Sequence, residues 1–86
     1  SAPKLDDAIE AWVTCPKFVR NTKKHQNQCK YRIQNFRKCF DNLKLDQFTS
    51  KQIEKHVYDE NRDVTDTERG NQYACINTFF NFAVKE

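Results

Sequence analysis

From Leu5 the apolar residues Leu5, Ile9, Trp12 and Val13 fall at i, i+4, i+7 and i+8, the spacing of one face of an α-helix. Asp6, Asp7 and Glu10 cluster near its start, where the positive end of the helix dipole favours anions. Cys15 should end it, because the residue before a proline, here Pro16, is pushed out of the helical region. A polar stretch over 21–28 leads to a second helix, in which Cys29, Ile33, Phe36, Phe40 and Leu43 recur at i, i+4, i+7, i+11 and i+14. Thr49 and Gln52 fit a capping box, with Phe48 and Ile53 as its hydrophobic staple. They predict a third helix from Ser50 that buries little beyond Ile53 and Val57. A second capping box, Thr65 to Glu68, opens a last helix whose Cys75, Ile76, Phe79, Phe80, Phe82 and Ala83 form the broadest apolar face and predict the central packing element. Gly70 weakens the first turns of that helix by about 1 kcal/mol relative to Ala.

Composition narrows the picture. With 86 residues and a single Gly, the chain has room for one small domain over 1–86. It lacks the turn supply of a many-stranded β fold and any phosphate-cradling loop. A mean hydropathy of -0.98 and the lack of a long apolar run exclude a membrane span. The predicted fold class is all-α, a compact bundle of about four helices. A domain this small buries only about 60% of its unfolded surface and benefits from staples. Four cysteines, Cys15, Cys29, Cys39 and Cys75, spaced 14, 10 and 36 residues apart with no C-x-x-C, favour two disulfides over a zinc site. Cys29 and Cys39 lie about 15 Å apart along one helix and cannot bond each other, so two of three pairings survive. A hairpin of the first two helices favours Cys15–Cys29 with Cys39–Cys75, each bond contributing about 3–4 kcal/mol. A start at Ser1 rather than Met, with no basic and apolar leader, predicts a mature secreted, extracellular protein, expected as a monomer.

The net charge of +3 conceals a separation of sign. Residues 11–40 hold eight basic side chains, Lys17, Arg20, Lys23, Lys24, Lys30, Arg32, Arg37 and Lys38, and no acid, while the rest of the chain has seven basic against twelve acidic. Asp59, Glu60, Asp63, Asp66 and Glu68 concentrate the negative charge around the connection into the last helix, opposed within it only by Arg62. The basic set is the predicted partner-binding surface, suited to an acidic protein or a sulfated glycan and sensitive to salt. A solvated helix face is the plainer account, but thirty positions without one acid exceed what solubility requires. Nucleic acid is not expected, since no recognised nucleic-acid module accompanies the charge.

Chemistry beyond binding has little support. His25 and His56 lie far apart in polar sequence and are expected to be solvated, so neither a metal nor another cofactor is predicted. No serine, threonine or cysteine stands beside a base in a catalytic pattern, and catalysis is not expected. Phe79, Phe80 and Phe82 with Phe36 and Phe40 read as core. They would line an apolar ligand site only around a cavity of about 300 Å³ or more.

The segments APKLDDAIEAWVTCPKF, NQCKYRIQNFRKCFDNL and NQYACINTFFNF together resemble the small anticomplement proteins of sand fly saliva over essentially the whole chain. That resemblance implies a secreted all-α fold with two disulfides, no catalysis, and inhibition of the classical pathway of complement through binding a host complement protein. It assigns no functional residues. The insect odorant-binding proteins are a neighbouring comparison, but they typically have three disulfides and a C-x-x-x-C pair, and the spacing here departs from both. A carrier of an apolar ligand is therefore the second expectation.

Overall fold

The computed structural model describes residues 2–59 and 62–85, Lys85 by its backbone alone, so Ser1 and Glu60 of the sequence expectations lie outside the described residues. Five helices are described: α1 (Leu5–Thr14), α2 (Pro16–Val19), α3 (Lys23–Lys38), α4 (Ser50–Val57) and α5 (Asp66–Lys85), with a 3-10 turn at Leu45–Gln47 between α3 and α4. The molecule is a slab of 33 × 32 × 18 Å, about two helix diameters thick, which leaves most helices one wet face.

α1 ends where expected. Pro16 then starts the single turn of α2, because its fixed φ suits the first helical position and its missing N–H is not needed there. The predicted second helix is longer at its start and shorter at its end. Thr22 caps it by accepting from the His25 N–H at 3.2 Å, so most of the polar stretch forms the first turns of α3. The helix stops at Lys38, and the partly buried Phe40 reaches the core from the loop beyond. Both capping boxes sit at helix starts. Thr49 and Gln52 cap reciprocally at 2.8 and 3.3 Å, whereas Thr65 accepts from the Glu68 N–H and the Glu68 carboxylate turns to Arg32.

α1 and α3 run antiparallel, tied at one end by the ion pair Arg37–Asp6 and by the Leu5 N–H donating to the Leu43 carbonyl at 2.9 Å. α5 crosses them and also packs on α4, the central place its apolar face predicted. An aromatic chain runs through the core: Phe18 against Trp12 at 5.0 Å, Trp12 against Phe79 at 5.4 Å, Phe79 against Phe80, and Phe80 against Phe36 and Phe48. Arg69 locks the α4–α5 connection, donating to the carbonyls of Val57, Asp59 and Arg62, while Arg62 donates to that of His56.

The cysteine expectation is corrected. All four thiols are free, and Cys29 faces Cys75 at 4.2 Å. Cys75 sits at the Cys29 turn of α3, and Cys39 caps the other end about 15 Å along the axis, so Cys39 is beyond disulfide reach of Cys75. Cys15 opens on the same cavity as Cys29 and Cys75 but is bonded to neither. Burial and the neighbouring Cys29 push the Cys75 thiol up to about 12. Iodoacetamide applied to the native protein at pH 8 is therefore expected to label exposed Cys39 first and Cys75 last. Labelling of Cys75 at the rate of Cys39, followed by mass spectrometry of peptides, would contradict this packing.

Candidate functional site

The eight basic residues do not form one equivalent set. Arg32 makes a two-pronged bond to Glu68, Nε to Oε2 at 3.1 Å and Nη2 to Oε1 at 3.0 Å, joining α3 to α5. Arg37 grips Asp6 in the same way at 2.6 and 3.2 Å and also donates to the Phe40 carbonyl. Both arginines are half-buried struts, and their hydrogen bonds hold the Glu68 and Asp6 carboxyls below the usual carboxylate range. They are withdrawn from the predicted contact set, because a guanidinium committed to an internal carboxylate presents little charge to a partner.

The other six, Lys17, Arg20, Lys23, Lys24, Lys30 and Lys38, are exposed and have no ion pair among the described residues. Lys17 and Arg20 lie on α2 or its end, beside the start of α3. Lys23 and Lys30 are seven apart, as are Lys24, Tyr31 and Lys38, so these two rows run along the outward face of α3 for about 21 Å. Tyr31, 70% exposed, stands among them as the one large aromatic of that face. Lys23 and Lys24 occupy the first turn of α3, where the helix dipole opposes cations. Local helix stability does not account for their placement.

A second feature lies behind this face. A cavity of about 730 Å³ opens between α2, the first turns of α3 and α5. Its floor is Trp12, Phe18, Cys29 and Cys75, all buried, and its volume exceeds the minimum for an apolar ligand. Sequence reading missed it because its walls come from segments some fifty residues apart. One signal was legible: α5 carries no charged residue between Arg69 and Lys85, although Asn71, Ala74, Thr78 and Asn81 are exposed.

The histidines part company. His25 is exposed, its Nε2 3.4 Å from the Cys29 sulfur. His56, expected in solvent, is only 9% exposed and stands edge-on to Phe36 at 5.3 Å. The apolar face of α4 is wider than Ile53 and Val57 suggest, since His56 fills the third position of that face. Among the described residues no group of three or more potential ligands is placed to hold a metal ion, and no helix is long and apolar enough to cross a membrane. No protein-family model, curated protein or solved structure matches this chain.

Proposed function

We propose that this chain is a secreted, non-catalytic binding protein that inhibits the classical pathway of complement by docking its basic α2–α3 face on an acidic host protein. The observation that carries the proposal is the set of six exposed cations with no ion pair among the described residues, in a thirty-residue stretch without an acid. An unpaired basic face speeds encounter with an acidic partner and selects against basic ones. Tyr31 supplies an amphipathic anchor within this charged rim, since tyrosines are enriched among binding hot spots. The complement target comes from the sequence resemblance, and the surface supplies a mechanism of blockade.

The test is lysis of antibody-coated red cells in serum, beside an alternative-pathway assay. The chain should inhibit the first selectively. The triple variant Lys23→Glu, Lys24→Glu and Lys30→Glu should need at least about tenfold more protein for half-inhibition, with a flatter dependence on salt. Because the three side chains are exposed, helicity should stay unchanged. Unchanged inhibition by the triple variant removes the basic face from the mechanism. No inhibition by the parent chain removes the complement target, and retention on a heparin column would then favour a sulfated glycan as partner.

A further inference from the structure

We infer that the cavity between α2, the first turns of α3 and α5 binds a small amphipathic anion, an alkyl carboxylate whose chain lies against Trp12 and Phe18 and whose head group meets Lys17 and His25. The volume of about 730 Å³ lies within the range of small-molecule sites. Its floor is apolar and polarizable: two aromatic rings packed edge-on at 5.0 Å beside the Cys29 and Cys75 thiols, with Phe82 at the side.

Charge decides the class of ligand. Among the described residues no carboxylate lines the cavity, and its cationic groups are Lys17 and Arg32, with His25 as a further donor. Arg32 is neutralised by its two bonds to Glu68, so the exposed Lys17, with no ion pair among the described residues, is the cation of the mouth. The facing wall, from α5, offers Asn71 and Asn81, whose amides donate and accept hydrogen bonds without adding charge, and Thr78, whose hydroxyl donates to the Ala74 carbonyl at 2.8 Å and is left to accept. An exposed helix face is ordinarily charged, and here fifteen consecutive positions carry no charge at all. A cationic amphiphile meets Lys17 with like charge and finds no acid in the lining. A sugar or other fully polar ligand leaves the aromatic floor unused. An amphipathic anion satisfies floor, wall and mouth together.

Trp12 is the only tryptophan of the chain and forms part of the floor, so its fluorescence reports occupancy directly. Titration of the intact protein with decanoate, below its micelle concentration, should give a saturable change in Trp12 emission. Affinity should rise about fourfold per added methylene from octanoate to dodecanoate, the increment of burying one CH₂. Decyltrimethylammonium should bind at least about tenfold more weakly, and Lys17→Glu should reduce decanoate affinity by a similar factor. Ala74→Phe, at an exposed position of the wall, should fill the cavity and abolish the titration while leaving helicity and melting temperature in place. No saturable change with any of the three carboxylates overturns the site. Equal binding of the cationic amphiphile overturns the ligand class, and undiminished binding by a folded Ala74→Phe variant overturns the location.

Discussion

Phe36→Ala is expected to lower the melting temperature by about 15–30 °C. Phe36 has no exposed surface, and its ring meets Phe40 at 4.9 Å, His56 at 5.3 Å, Phe48 at 5.8 Å and Phe80 at 6.0 Å. These partners come from α4, α5, and the loop that joins α3 to α4. Removing the ring therefore opens a cavity where three parts of the chain converge, and none can close it without losing its other contacts. Truncating a buried Phe costs about 3–5 kcal/mol, against a total of about 4–13 kcal/mol for a domain of this length. Tyr31→Ala, 70% exposed on α3, should change stability by less than about 0.5 kcal/mol. Thermal unfolding followed by circular dichroism compares the two. Similar shifts for both variants would show that Phe36 is not the hub of the core.

Acid should unfold the protein earlier than its carboxylates alone would require. Burial against Phe36 and Phe40 pushes the His56 ring down to about 4 from an ordinary 6.5, with Arg62 adding to the depression and Asp59 opposing it. The folded state holds His56 neutral, so between pH 6.5 and 4 the unfolded chain binds the additional proton. Stability is thus fully present above pH 6.5 and falls as pH drops toward 4. The loss is about 3 kcal/mol, at about 1.4 kcal/mol for each unit of pKa. Asp6 and Glu68 act in a lower window. Their folded-state values lie below the ordinary ones, so their contribution is present above about pH 4 and disappears beneath it. Denaturant titrations at pH 7.5, 6, 5 and 4.2 should show the decline, and His56→Gln should flatten it over that range while lowering stability at pH 7.5. An equally steep decline in His56→Gln would place the acid sensitivity elsewhere.

Much of the fold was legible because its signals are local. The capping pairs Thr49 with Gln52 and Thr65 with Glu68 marked the starts of α4 and α5, since a cap is satisfied by residues three positions away. Pro16 fixed the end of α1 through its own ring. The apolar spacing of α5 gave its buried face, because helical period and burial coincide there. The charge separation was also a property of sequence alone, and six of its eight cations stay exposed in the fold.

Tertiary structure decided what depends on neighbours distant in the chain. The longer start of α3 is the exception, a local cap in which Thr22 accepts from the His25 N–H within residues whose composition had suggested a loop. Arg32 and Arg37 look like the other six cations until Glu68 and Asp6, more than thirty positions away, close on them. His56 is polar in sequence and buried in space because Phe36 and Phe40 need a flat ring beside them. The helical crossing that sets Cys29 against Cys75 leaves Cys39 at the far end of α3, an arrangement no cysteine spacing encodes. The cavity follows the same rule: its uncharged wall on α5 is visible in sequence, but only packing sets that wall opposite Lys17 and His25. Local periodicity and capping determined the helices, whereas charge pairing, thiol proximity and the open cavity came from how those helices meet.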